Sequence, residues 1–157
     1  VAYLPDKDGL PENMMVNDII NIYRTFFDDF DEEKCRRLLE IFDVRPTAMP
    51  KEMSKGVIDK LQISLLMSRN ARLYLLDEPM GGVDPAARDF ILETILQNYD
   101  PEATVVIATH LIADVEKVLD EVIFLDQGKV ALHTSVDDLR TETGKSVDAL
   151  FREVFQC

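Results

Sequence analysis

The chain has 157 residues, 46% hydrophobic and 30% charged, the balance of a soluble globular domain large enough to bury a core. Lys and Arg total 17 against 30 Asp and Glu, and the resulting charge of −13 repels nucleic acid and anionic lipid at long range, which disfavours direct binding to either. No stretch approaches the roughly 18 apolar residues of a membrane span, and the N-terminus carries no secretory pattern, so a cytoplasmic location is expected. Cys35 and Cys157 have neither metal-ligand spacing nor the number of a disulfide framework, and both are expected to be reduced thiols.

In chain order, residues 1–4 read as a short apolar strand running into the turn-rich loop Pro5-Asp6-Lys7-Asp8-Gly9. It opens without a polar lead-in and is expected to be an interior strand whose upstream part is missing. Asn13 or Asn17 is placed to cap a helix ending near Phe27, with Val16, Ile19, Ile20, Tyr23 and Phe27 on one face. Asp31-Glu32-Glu33 starts a second helix with the stripe Cys35, Leu38, Leu39 and Phe42. The acidic run 28–33 reads as a solvated helix start, because it lacks the ligand spacing and the glycine of a calcium loop. After Pro46 and Pro50, Ser54 caps a third helix reaching about Arg69, with Val57, Ile58, Leu61, Leu65 and Leu66 toward a core.

Residues 73–76 form an apolar run that predicts a strand buried on both faces. It ends in Asp77 and Glu78, at the carboxyl end where open α/β sheets collect their ligand chemistry. Pro79 has no N–H to continue the ladder, and Gly81 and Gly82 allow a loop that turns Asp84 outward, toward a partner. Pro85 suits the first turn of a helix ending near Asn98 and lined by Phe90, Ile91, Ile95 and Leu96. A β-branched strand at 104–108, Thr109-His110, a helix over 112–119, and a hairpin of 121–125 with 129–132 across Asp126-Gln127-Gly128 follow. Helices over 136–140 and 146–155 finish the chain.

Adjacent carboxylates at a strand end can divide a phosphoryl transfer, one holding a divalent metal and the other orienting or deprotonating the attacking water. Ser54-Lys55-Gly56 offers a hydroxyl, a close-approach glycine and the free N–H groups of a helix start, a combination suited to an anion.

Taken in order, Tyr3-Leu4-Pro5-Asp6, a helical insert, Met53-Ser54-Lys55-Gly56-Val57, Leu75-Leu76-Asp77-Glu78-Pro79, Gly82-Val83-Asp84 and Ala108-Thr109-His110 closely resemble the nucleotide-binding domain of ABC transporters. Most of all they resemble ATPase subunits of bacterial exporters that pair with a separately encoded membrane subunit. The resemblance implies a P-loop NTPase-like α/β fold, mostly parallel, with a helical subdomain at about 12–69, a catalytic core at about 70–134 and C-terminal helices at about 135–157. It implies ATP and Mg2+ as cofactors. Asp77 would serve the magnesium shell, Glu78 would polarise the hydrolytic water, and His110 would contact the γ-phosphate. Ser54, Lys55 and Gly56 would reach across a dimer to the other subunit's ATP, and Asp84 would cross the same interface. The implied partners are a second ATPase subunit, head to tail, and an integral-membrane permease that holds the protein at the inner face of the membrane, with no nucleic acid.

Several positions depart from the family pattern. Met53, Lys55 and Val57 replace the first, third and fifth members of the usual Leu-Ser-Gly-Gly-Gln signature. Asp6 stands where a magnesium-sensing glutamine that touches the membrane partner is common, and an acceptor-only carboxylate is a poor neighbour for triphosphate without metal. No Gly-x-x-x-x-Gly-Lys-Ser/Thr phosphate loop is present: Gly144-Lys145-Ser146 mimics its end, but Leu139 occupies the first glycine and a helix precedes it. That run is expected to be a break between helices. The chain is therefore expected to be a fragment without the phosphate-loop lobe, inactive alone. The alternatives are a non-transport ABC ATPase acting on DNA or the ribosome, disfavoured by the acidic balance, and a catalytically dead regulatory module.

Overall fold

The computed structural model describes residues 1–6 and 9–155; Lys7, Asp8, Gln156 and Cys157 lie outside the described residues. The chain divides into two compact units, Val1–Thr109 and His110–Cys157. Among the described residues no helix is long and apolar enough to cross a membrane.

The first unit is built on a parallel sheet, β1 (Ala2–Leu4), β2 (Leu73–Asp77) and β3 (Thr104–Ala108), in that spatial order. Between β1 and β2 the chain makes α1 (Val16–Phe26), α2 (Glu32–Ile41), a 3₁₀ turn at Pro50–Glu52 and α3 (Lys55–Met67). Helix α4 (Pro85–Asn98) connects β2 to β3. This is the α/β architecture, parallel sheet with helical insert, that the order of motifs implies.

The sheet is asymmetric. Ala2 and Tyr74, then Leu4 and Leu76, share one face and are buried, whereas the row Tyr3, Leu75 and Val106 on the other is wetter, with Tyr3 57% and Val106 43% exposed. The expectation of a strand buried on both faces is thus corrected: one face of β2 is buried and the other is half-open, because its neighbours in register are themselves exposed.

Helix α1 starts without a side-chain cap from either asparagine: Met15 stands at the N-cap and Asn17 lies inside the first turn. The orphan N–H groups of Val16 and Asn17 instead donate to the carbonyls of Ala48 and Pro46, each at 3.0 Å, so a distant loop does the work expected of a local residue. Asp31 does cap α2, its Oδ1 accepting from Lys34 N at 2.9 Å, and the stripe Cys35, Leu38, Leu39 and Phe42 is buried. Burial pushes the Cys35 thiol up to about 12, which leaves it protonated and unreactive.

Ser54 caps α3, accepting from Val57 N. The helix ends at Met67 rather than Arg69 and is buried on every side from Leu61 onward, where a single stripe had been expected. Helices α2 and α4 and strand β1 all press on it. Val57 and Ile58, assigned to the core, are only partly buried. On α4 the inward face is Ile91, Leu92, Thr94 and Ile95, while Phe90 and Leu96 stay partly exposed; Phe90 meets Phe42 edge-on at 5.2 Å.

The acidic run before α2 is spent on ion pairs and a cap. Arg69 donates to both carboxylate oxygens of Asp29, its Nη2 reaching Oδ2 at 3.0 Å, and its guanidinium lies over the Phe27 ring at 3.8 Å. The main chain adds Asn70 N to Asp29 O at 2.9 Å, and the Tyr74 hydroxyl donates to Arg69 O at 2.5 Å, which ties the insert to β2. The Arg69 guanidinium holds the Asp29 carboxyl below the usual carboxylate range. A depressed folded value contributes stability that is present above the unfolded value near 3.9 and lost as pH falls through the folded one. Asp29→Asn is expected to cost about 1 kcal/mol at neutral pH, modest because the pair is partly exposed, with the penalty fading as pH falls through the depressed folded value. Melting temperatures of both proteins across that range check it; a pH-independent gap would contradict it.

The second unit holds α5 (Ile112–Val115), a 3₁₀ turn at Glu116–Val118, the hairpin β4 (Glu121–Asp126) and β5 (Lys129–Ser135), α6 (Val136–Thr143) and α7 (Val147–Phe155). The expected 112–119 helix is therefore an α-turn followed by a tighter one. The hairpin loop is two residues, Gln127 at φ 46° and Gly128 at φ 76°, the left-handed pair of a type I′ turn. Phe124, Val122, Val136, Leu139 and Val147 form the core, with Phe151 edge-on to Phe124 at 5.4 Å. Gly144, at φ 67°, is the left-handed cap that ends α6, so Gly144-Lys145-Ser146 is the helix break it was expected to be.

Candidate functional site

Strand β2 brings Asp77 to its last position, opposite Ala108 of β3. The pairing continues for one more bond, Glu78 N donating to Ala108 O at 2.8 Å, and stops where Pro79 has no N–H to give. Glu78 itself takes φ 47°, a left-handed conformation that a side-chained residue adopts at a cost of roughly 1–2 kcal/mol. The turn that follows is closed by Gly81 N donating to Glu78 O at 3.1 Å, and it is anchored by Met80, which is fully buried.

Beside this strand end lies a polar cleft lined by Asp6 from the loop after β1, Lys55, Asp59 and Gln62 from the first turns of α3, and Asp77 and Glu78. The long insert between β1 and β2 thus returns the start of α3 to the carboxyl ends of the strands. Four of the lining groups are carboxylates and one is an ammonium, so the cleft is net negative and would repel a bare phosphate. Among the described residues no group of three or more His, Cys, Asp or Glu side chains is placed to hold a metal alone.

The loop after β2 packs on the tip of α3. A Cβ built on Gly82 would lie 2.2 Å from Asp59 Oδ2 and 2.7 Å from Lys55 Cε, so a side chain there would have to displace those of Asp59 and Lys55. Gly56 is looser, its Cβ position being 3.5 Å from Val83 Cγ1 and 3.6 Å from Gly82 O. Ser54 and Asp84 are exposed on either side of that contact. Asp84 was expected to turn outward to a partner; its Oδ1 accepts from Ala86 N at 3.0 Å and Ala87 N at 3.2 Å, so it also caps α4.

The first unit therefore gathers Asp6, Lys55, Asp77 and Glu78 at one cleft, with Ser54, Gly56 and Asp84 along the adjoining surface. His110 is the first residue of the second unit and is exposed. Two residues at the site carried no role in the sequence reading. Asp59 is 8% exposed and lies one helical turn from Lys55, on the polar edge of α3 that also carries Gln62. Thr109 donates from Oγ1 to Glu78 Oε2 at 2.9 Å, a contact that only the pairing of β2 with β3 brings about.

No protein-family model matches the chain. It is 26% identical over 145 residues to the ABC transporter ATP-binding protein YtrB of Bacillus subtilis, covering 90% of this chain and 49% of that protein. It is 32% identical over 149 residues to the energy-coupling factor transporter ATP-binding protein EcfA2 of Staphylococcus saprophyticus, covering 91% of this chain and 52% of that one. The chain thus spans about half the length of these relatives. A solved ATP-binding subunit of an ABC transporter superposes over 98% of this chain and 68% of its own length with a TM-score of 0.85 at 27% identity. The order of motifs along the chain, the parallel sheet with its helical insert, and these likenesses over nine-tenths or more of its length converge on one conclusion: the chain belongs to the ATP-binding proteins of ABC transporters.

Proposed function

We propose that this chain supplies the carboxylate half of the catalytic site in an ATP-hydrolysing subunit, one that closes head to tail on a second copy and drives a membrane permease from its inner face. The observation that carries the reading is the placing of Asp77 and Glu78 at the end of β2, in one cleft with Asp6. Asp77 would hold the Mg2+ that accompanies the triphosphate, whose charge offsets that building on the phosphate oxygens. Glu78 accepts a proton from the attacking water as its oxygen bonds to the γ-phosphorus and the bond to the bridging oxygen of ADP breaks. His110 steadies the γ-phosphate and that water, the role the family resemblance gives to an imidazole at this place. Ser54, Lys55 and Gly56, at the open N-terminus of α3, meet the γ-phosphate held by the opposite copy, and Asp84 crosses the same interface. Asp6 lines the same cleft, where a further carboxylate would be tolerable beside the triphosphate only with the cation present.

Phosphate release from Mg-ATP by the full-length polypeptide with its permease tests the reading, and the absence of release would overturn it. The 157-residue chain alone, which has no Gly-x-x-x-x-Gly-Lys-Ser/Thr run, is expected to show neither hydrolysis nor tight Mg-ATP binding by calorimetry. Tight binding would contradict that expectation.

A further inference from the structure

Glu78 is tied to the end of β3 twice. Its main chain donates to Ala108 O at 2.8 Å, and its side-chain Oε2 accepts from the hydroxyl of the very next residue, Thr109, at 2.9 Å. The first bond holds the backbone at the point where φ 47° turns it out of the strand. The second holds the carboxylate against rotation about its last bond, which a glutamate side chain otherwise makes freely. A carboxylate that must receive a proton from a water approaching in one direction gains from being fixed in this way, since misplacing a reacting group by about 1 Å costs up to about 100-fold in rate.

We propose that Thr109 is a positioning residue for the hydrolytic step: its hydroxyl holds Glu78 Oε2 and so presents the carboxylate to the attacking water in one orientation. The proposal rests on the reading of Glu78 as the proton acceptor. Valine at this position keeps the shape of threonine and removes the donor, while serine keeps the donor and loses only a methyl group.

The test uses the full-length polypeptide with its permease, with Glu78→Gln as the reference. Thr109→Val is expected to lower kcat about 10- to 100-fold while the KM for Mg-ATP stays within about twofold, because the lost interaction matters to the chemical step and not to nucleotide binding. Thr109→Ser should restore kcat to within about threefold of the parent. A Thr109→Val protein with the parent kcat, beside a slow Glu78→Gln, overturns the role of Thr109. So does a loss of rate that serine fails to restore, since that loss belongs to packing. A Glu78→Gln protein as fast as the parent overturns the underlying reading of the site. Should Thr109→Val fail to fold, Thr109→Ala removes the same donor and is judged by the same kcat and KM.

Discussion

Glu78→Gln in the full-length polypeptide is expected to slow ATP hydrolysis by about two to four orders of magnitude, the range that a positioned general base contributes. Glutamine preserves the length of the side chain and keeps an oxygen to accept from Thr109, so the geometry at the end of β3 survives. What it loses is the ability to take a proton. Removing the negative charge also relieves a cleft in which Asp6, Asp59 and Asp77 already crowd. Nucleotide affinity should therefore hold or rise, and the ATP-bound dimer should accumulate because the step that opens it is blocked. Steady-state phosphate release together with size-exclusion chromatography in Mg-ATP reads both effects. Unchanged turnover would remove Glu78 from the role.

Gly82→Ala is expected to cost about 1–3 kcal/mol of stability through overpacking and to lower turnover in the full-length polypeptide at least tenfold. The added methyl would stand 2.2 Å from Asp59 Oδ2, and Asp59, at 8% exposed, has little room to withdraw. The side chains of Asp59 and Lys55 must then shift, or the loop from Gly81 to Asp84 lift from the tip of α3, disturbing the residues that the fold sets along one surface. Gly56→Ala is the control, because its methyl would meet only ordinary contacts at 3.5 and 3.6 Å and its stability should be intact. Thermal melts of the two variants separate the cases; equal stabilities would show that the Gly82 contact gives way.

What the sequence disclosed was local. The run ending in Asp77-Glu78-Pro79 announces a strand end because an apolar stretch, two carboxylates and a missing N–H are all written in consecutive residues. Ser54 was legible as a cap for the same reason, Asp31-Glu32-Glu33 as a helix start, and Pro85 marked the start of α4. What stayed hidden depends on segments far apart in the chain. The N–H groups at the head of α1 are met by carbonyls some thirty residues downstream, at Pro46 and Ala48, so neither Asn13 nor Asn17 is needed there. The all-round burial of α3 follows from neighbours on three sides, which periodicity along one helix cannot register. Thr109 met Glu78 only once β3 had found its place beside β2, and Asp59 gained its meaning only when the Gly82 loop folded over it. The resemblance to a family supplied the proposed chemical roles, while the contacts around those groups came from the packing.

Helix α3 has a mechanical consequence. Its thirteen residues make a rod about 20 Å long, with its tip at the cleft and its shaft sheathed from Leu61 to Met67. A rod clamped along its shaft cannot bend to absorb a load at its tip, and interiors this dense pass strain onward rather than dissipate it. A load on Lys55 is thus expected to act on the helix as a unit and to reach its far end, where the Tyr74 hydroxyl ties Arg69 to β2.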